Sequence, residues 1–273
     1  MIDLAALAQQ VPTPWVERPE RSRAQGRLDE LAGWLAAAQG TWPPAEPRSV
    51  RLVAMVESAE VADGLAGILA AARVVDVTPV TVLPSGDVED ALALGVATAD
   101  AAADEGVDLI VAMGAGRTVP AITAIAALSH LEPVEAVTSR VDDEVWRQEV
   151  VAVRDLLLRV RPHHDTPYSL LSELRSPVLA ALAGLSIQAA NRRTPVVLDG
   201  LDACVAAASL YQIAPFATEW WAVADCAGTP AQRAAVDLLR LTPVLSLGTA
   251  AGYAGPLVAP LLRAAARLAT HPA

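Results

Sequence analysis

Along the chain, short unbroken apolar runs alternate with longer stretches of helical spacing. Val50–Val56, Val74–Val82 and Asp108–Ala112 read as buried strands, and Thr194–Gly200 carries a fourth strand into a turn. Val61–Ala72, Glu89–Gly106, Thr118 onward, Asp142–Arg159, Ser176–Asn191, Leu201–Leu210, Pro230–Arg240 and Pro256–Thr270 have the spacing of helices. Trp220–Val223 reads as a further strand, and Val134–Val137 as a short strand or a connection. Arg161–Pro167 is a polar break, Val244–Leu247 a short apolar run, and Gly248–Gly255 a glycine turn. Strands alternating with helices of roughly 10–15 residues predict a parallel sheet covered on both faces. The expected fold is therefore α/β, a three-layer, doubly wound, mainly parallel sheet.

Residues 1–47 differ from this rhythm. Prolines 12, 14, 19, 43, 44 and 47 punctuate them. Between these prolines, Gly26–Gln39 places Leu28, Leu31, Trp34, Leu35 and Ala38 on one helical face. We expect an N-terminal helical segment over 1–47, packing with the C-terminal helices, and an α/β domain over 48–273. The last helix is expected to carry its arginines on its outer face.

The most informative stretch is Val107–Ala121. A strand breaks at Met113-Gly114-Ala115-Gly116-Arg117 and restarts as a helix at Thr118. A helix start offers free N–H groups and partial positive charge, and Arg117 adds a permanent cation with a planar fork. Gly114, Gly116, Arg117 and Thr118 are thus candidate phosphate ligands, although an ordinary strand-to-helix turn accounts for the same residues. The dinucleotide fingerprint fails because Val119 stands where its third glycine belongs. The phosphate-loop pattern fails because no Gly-Lys-Ser/Thr follows. In open α/β sheets ligands sit off the carboxyl ends of the strands. Ala112–Thr118, Asp199–Asp202 and Gly248–Gly255 are expected to share one crevice there.

Composition narrows the class. Of 273 residues, 53% are hydrophobic, which is enough for a sizeable core and argues against disorder. Twenty basic residues against 31 acidic give a net charge of −11, a surface that repels polyanions, so no nucleic-acid partner is expected. The densest basic cluster, Arg21, Arg23 and Arg27, is interleaved with acids and reads as a solvated face. Two cysteines, Cys204 and Cys226, do not build a disulfide framework or a metal site. Cys204 is expected to be a small buried residue, and Trp220-Trp221 to pack at a core edge or dimer contact. His163-His164-Asp165 reads as a polar loop rather than metal ligands. No apolar run reaches membrane length and the N-terminus has no signal-peptide character, so a cytoplasmic protein is expected. No metal and no cofactor are expected.

With these segments placed, their order and wording resemble the nicotinate-nucleotide–dimethylbenzimidazole phosphoribosyltransferase family, late enzymes of cobalamin assembly. Gly26-Arg27-Leu28-Asp29-Glu30-Leu31-Ala32 is similar to the family's Gly-Arg-Leu-Glu-x-Leu-Ala helix. Asp90–Leu109 resembles the helix and strand before its glycine motif. Thr194–Gly200, after Asn191-Arg192-Arg193, is close to its Ala-Arg-Arg-x-Pro-Val-Val-Leu-Asp-Gly. Pro260–Leu268 looks like its closing helix. The resemblance implies the α/β fold, with a small helical domain formed by both chain ends, and commonly a dimer. It also implies transfer of ribose phosphate from nicotinate mononucleotide to a nitrogen of dimethylbenzimidazole or a related base. Asp199, Gly200, Asp225, Gly248 and Gly252 would then contact substrate.

The departures fall on polar positions. Where the family has Gly-Glu-Met-Gly-x-Gly-Asn-Thr, this chain has Val111-Ala112-Met113-Gly114-Ala115-Gly116-Arg117-Thr118, so a functional glutamate becomes Ala112 and an asparagine Arg117. Tyr253 stands where the closing glutamate, the family's presumed base, belongs. Glu57-Ser58-Ala59 replaces an Asp-His-Gly, Arg175-Ser176-Pro177-Val178 a Gly-Gly-x-Glu, and Ala224-Asp225 a Ser-His pair. The loop near Ser139-Arg140 and the segment between Val82 and Glu89 are shorter than the family's. Candidate catalytic groups are Glu57, Asp199 and Tyr253. A solvated helix start explains Glu57 equally, helix capping would explain at least one of Asp199 and Asp202, and packing would explain Tyr253. Two functional classes follow. One is a divergent phosphoribosyltransferase. The other is a non-catalytic relative, either a ligand-binding protein or the silent partner in a heterodimer with a full-length relative.

Overall fold

The computed structural model describes residues 2–17, 26–138, 142–226 and 228–270. Arg21, Arg23 and the Ser139-Arg140 loop lie outside them. Five strands form one parallel sheet: β1 (Val50–Val56), β2 (Thr78–Val82), β3 (Leu109–Ala115), β4 (Val196–Asp199) and β5 (Trp221–Val223). Their order is β2-β1-β3-β4-β5, all neighbours parallel. The chain steps one way from β1 to β2 and the other way from β3 onward. The gap between the carboxyl ends of β1 and β3 is therefore a topological switch point, where such folds hold ligands.

Thirteen α-helices occur among the described residues: α1 (Leu4–Gln10), α2 (Arg27–Gln39), α3 (Ala59–Gly64), α4 (Ala66–Val74), α5 (Val88–Asp104), α6 (Thr118–Ser129), α7 (Pro133–Ala136), α8 (Asp143–Val160), α9 (Pro167–Leu174), α10 (Pro177–Asn191), α11 (Leu201–Leu210), α12 (Pro230–Leu239) and α13 (Ala254–Thr270). Side chains alternate across the sheet as the pleat requires. Val53, Met55, Ile110, Ala112, Val196 and Leu198 face the larger core, shared with α5, α6, α10, α11 and α12. Leu52, Ala54, Val56, Leu109, Val111, Met113 and Val197 face the smaller one, shared with α2, α4 and α13. Two cores on two faces make three layers.

Alanine and glycine set the spacing of the larger face. A Cβ on Gly95 of α5 would strike the Ala181 carbonyl of α10, and one on Gly184 of α10 would strike the Leu92 carbonyl of α5. These helices thus pack backbone to backbone, and a side chain at either glycine would force them apart. On the other face α2 packs against α13. Trp34 Nε1 donates to the Glu219 carbonyl at 3.0 Å and ties α2 to the β5 side of the sheet.

Several local expectations are corrected. The Val61–Ala72 stretch is two helices broken at Leu65. The second strand begins at Thr78, because Val74 completes α4 and Asp76 turns the chain at φ 59°. Val134–Val137 is not a strand. Pro133 begins a single helical turn there, closed by a capping box between Glu132 and Glu135. Within and after the polar break, Pro167 opens an additional helix, α9. Val244 and Leu245 run extended beside β5, donating their N–H groups to the carbonyls of Val223 and Ala224. Arg263 is not a solvated outer-face cation. Its guanidinium donates to the carbonyls of Pro47, Val75 and Asp76 and so pins α13 across the amino ends of the strands.

Trp220 and Trp221 are both buried, their indole N–H groups donating to the carbonyls of Pro12 (2.7 Å) and Ser186 (3.3 Å). Cys204 is buried, and burial pushes its thiol well above the usual range. No described helix is long and apolar enough to cross a membrane.

Candidate functional site

Three turns meet at the carboxyl edge of the sheet, and buried aspartates hold them together. The first is the β3–α6 turn, which is only Gly116-Arg117, because the strand expected to break at Met113 stays paired with β1 through Ala115. Gly114 ends the buried part of β3, and a Cβ there would lie 2.7 Å from Asp202 Oδ2. The missing side chain makes room for Asp202, which reaches across from the first turn of α11. Asp202 Oδ2 accepts the Gly116 N–H at 3.2 Å. The second turn links β4 to α11 through Gly200, and the third is the glycine turn before α13. Asp199, the last residue of β4, accepts the N–H groups of Gly252 (2.9 Å) and Gly255 (2.7 Å) through one oxygen, Oδ2. Gly252 holds φ at 91°, and a Cβ would lie 2.6 Å from Ile68 Cγ2 and 2.8 Å from Met113 Sδ. Only glycine fits both the backbone and the space.

Neither aspartate caps its own helix. The N-cap of α11 is Gly200, and both carboxylates serve other segments. Burial raises the Asp199 pKa to about 6, with the two N–H bonds opposing and the nearby Asp225 charge adding. Burial likewise raises Asp202 to about 6, opposed by the Gly116 N–H and assisted by the Glu57 charge.

Asp225 follows β5. It accepts from the N–H groups of Leu247 (3.0 Å) and Thr249 (2.9 Å) and from the Thr249 hydroxyl (3.2 Å). Burial opposes its ionisation, but these bonds and the Cys226 N–H outweigh burial and hold its pKa below the ordinary value. Gly248, at φ 67°, lies in the loop so anchored.

At the outer rim lie the groups that stay near water. Glu57 follows β1, and its N–H donates to the Ala115 carbonyl at 3.1 Å, which joins the ends of β1 and β3. The Glu57 carboxylate pairs with Arg117 across the switch point, Oε1 to Nε at 2.8 Å, with the arginine side chain 69% exposed and the glutamate 37%. The Thr118 hydroxyl donates to Glu149 Oε1 of α8 at 2.9 Å. A cleft of about 680 Å³ opens beside this rim, lined by Gly116, Arg117, Thr118, Leu156, Arg159 and Arg175 among others.

The structure thus brings Ala112–Thr118, Asp199–Asp202 and Gly248–Gly255 to one place. Tyr253 lies in the third of these turns. It is exposed, between a buried Gly252 and a buried Ala254. Ala112 is fully buried against the larger core. The His163–Asp165 loop is elsewhere, with His164 Nδ1 at 2.6 Å from the Arg161 carbonyl and its ring edge-on to His130. Among the described residues no group of His, Cys, Asp and Glu is arranged to hold a metal.

Asp202 as a clamp on Gly116 was not foreseen, nor were Glu149, Arg159 and Arg175 at the rim. Only the glycine at 114 hinted at a close neighbour. The partners come from α8, α9 and α11, far along the chain, and no spacing rule links them.

A family model described as Phosphoribosyltransferase matches residues 76–273. The Streptomyces avermitilis nicotinate-nucleotide–dimethylbenzimidazole phosphoribosyltransferase is 38% identical, over 90% of this chain and 81% of its own length. The enzyme of the same name from Mycobacterium avium is 33% identical, over 90% of this chain and 88% of its own. The crystal structure of CobT from Thermus thermophilus superposes with a TM-score of 0.81 at 26% identity, covering 98% of this chain and 96% of that one.

The chain belongs to the nicotinate-nucleotide–dimethylbenzimidazole phosphoribosyltransferase family.

The Mycobacterium alignment runs over 307 residues, more than the 273 of this chain, so that family member carries segments this one lacks. The resemblance aligns two family glutamates with Ala112 and Tyr253. Here the first is sealed in the core and the second is exposed, so neither position brings a carboxylate to the three turns. The acids at this edge are instead Asp199, Asp202, Asp225 and Glu57.

Proposed function

We propose that this protein transfers ribose phosphate from nicotinate mononucleotide to a ring nitrogen of dimethylbenzimidazole or a related base, in the crevice above β1, β3 and β4. The observation that supports this most is that the turn resembling the family's glycine motif lies at the sheet's switch point. The phosphate would sit at the start of α6, held by the Arg117 guanidinium and the Thr118 hydroxyl. Gly114 and Gly116 would shape the turn beneath it, since Gly114 is buried in β3 and the Gly116 N–H is already committed to Asp202. Arg117 would supply the charge that the family's asparagine lacks. Asp199, Gly200, Asp225, Gly248 and Gly252 would shape the substrate side of the crevice.

In the reaction the bond from the ribose C1′ to the pyridinium nitrogen breaks, and nicotinate leaves with the electron pair. The imine-type nitrogen of the acceptor forms the new bond to C1′ with its lone pair, and the proton on the other ring nitrogen goes to a carboxylate, which leaves the product ring neutral. Of the candidate bases, Asp199 has one oxygen committed to two N–H groups, and Tyr253 is a phenol on the surface. Glu57 is the carboxylate at the open mouth, and we assign it the proton-accepting role. The setting would be a cytoplasmic homodimer, with the 1–47 segment and the C-terminal helices forming the small domain.

The test is release of nicotinate from nicotinate mononucleotide with a panel of benzimidazoles, other azoles and phenols. Turnover should fall ~10²–10⁴-fold in Glu57→Gln. Release no faster than the blank with every acceptor would reject the proposal. One observation favours a second reading, a non-catalytic binding protein or silent subunit of a heterodimer: both expected glutamate positions are without carboxylates. Co-purification with a full-length relative that retains both glutamates, together with absent turnover, would select it.

A further inference from the structure

All 20 basic residues of this chain are arginines, so any anion it binds must be met by arginine or by backbone and neutral donors. At the start of α6 three consecutive residues offer such donors, and each is already taken by a carboxylate from a different element. The Gly116 N–H is held by Asp202 of α11, the Arg117 guanidinium by Glu57 after β1, and the Thr118 hydroxyl by Glu149 of α8. The three acids differ in how firmly they sit. Asp202 is buried and wedged against Gly114, so its bond is part of the scaffold. Glu57 and Glu149 lie at the rim, and the Glu57–Arg117 pair is solvent-exposed on both sides.

We infer that Glu57 is an internal counter-anion that occupies Arg117 until a phosphomonoester displaces it, so that phosphate binding itself uncovers the Glu57 carboxylate. The inference rests on the transferase reading for the identity of the phosphate ligand and deepens it by setting an order. The phosphorylated donor binds first, takes the arginine and frees the carboxylate. The acceptor base then meets a carboxylate no longer paired with a cation. Without the donor, Glu57 stays in its ion pair and the acceptor finds no free base. One residue therefore has two opposed effects, against donor binding and for the transfer step.

The experiment measures binding of nicotinate mononucleotide and of ribose 5-phosphate by calorimetric titration. Exposed ion pairs contribute little, so Glu57→Gln should tighten both ligands by about two- to fivefold. Arg117→Met should weaken both by at least about tenfold. In the Arg117→Met background, Glu57→Gln should change nothing further, which separates competition for the arginine from mere removal of a negative charge. Glu60→Gln, one turn away on α3, serves as the charge control and should leave affinity unchanged. Tighter donor binding combined with slower nicotinate release in Glu57→Gln is a split that a structural role would not produce. Equal affinities in wild type and Glu57→Gln overturn the inference while the transferase reading stands on its own turnover assay. The predicted tightening without nicotinate release from any acceptor upholds the counter-anion and rejects the transferase reading. Binding of neither ligand by either protein overturns both.

Discussion

The two glycine-bearing junctions at the carboxyl edge, Gly114–Thr118 where β3 passes into α6 and Gly248–Gly255 leading into α13, share one device and differ in what it leaves free. Each is fastened by an aspartate from the β4–α11 segment, and each has a glycine where a Cβ would collide with a neighbour. In the α13 turn the fastening is complete. Gly252 has a left-handed backbone pressed on Ile68 and Met113, and Asp199 takes two N–H groups. In the α6 turn only Gly116 is clamped, and the next two residues hold their partners at the solvent edge. One turn is scaffold and the other keeps exchangeable donors. Ligand chemistry belongs where the bonds can be traded, because a bond made between exposed groups costs little to replace.

The largest effect should follow from attacking the locked turn. Asp199→Ala leaves two buried N–H groups without an acceptor and should lower stability by about 2–5 kcal/mol in urea unfolding. Asp199→Asn, which keeps an acceptor oxygen, should recover part of it. Gly252→Ala comes next, since its methyl meets Ile68 and Met113 at a backbone angle alanine resists. A loss of about 1–3 kcal/mol in the same measurement is expected. Values near wild type for both would dissolve the distinction between the turns.

A pH series sharpens the comparison. Asp199 and Asp202 have folded-state pKa values raised from 3.8 to about 6, so between those values the native state binds more protons than the unfolded chain. Their contribution to stability is full below the unfolded value and is lost as pH rises through about 6. Lowering the pH from 7 to 5 should therefore strengthen the fold by on the order of 1 kcal/mol per carboxylate. The Asp199→Asn variant should gain about half as much, read as a smaller shift of the urea midpoint. The smallest stability effect belongs to the rim. Arg117→Ala removes an exposed ion pair and should alter stability by less than about 1 kcal/mol. It should nonetheless weaken nicotinate mononucleotide binding at least about tenfold in calorimetry. A large change in melting temperature would move Arg117 from the exchangeable turn to the scaffold.

Hydropathy pattern and glycine breaks together determined the parallel sheet, its two covered faces and three segments of its carboxyl edge. Strand periodicity and glycine breaks are local properties, and local physics makes them legible. The resemblance to the family rested on segments such as Gly26–Ala32 and Thr194–Gly200, whose apolar positions build the scaffold. Tertiary structure decided what the polar groups do. Asp202 reads in sequence as a helix cap and acts as a clamp on Gly116, because the sheet brings α11 beside the β3 turn. Arg263 reads as a solvated cation and closes three carbonyls, because α13 crosses the amino ends of β1 and β2. Glu57 and Arg117 are sixty residues apart and meet only because β1 and β3 are neighbours. Burial of apolar side chains follows from periodicity. The partner of a carboxylate follows from which strand ends the sheet places side by side, and no local spacing encodes that choice.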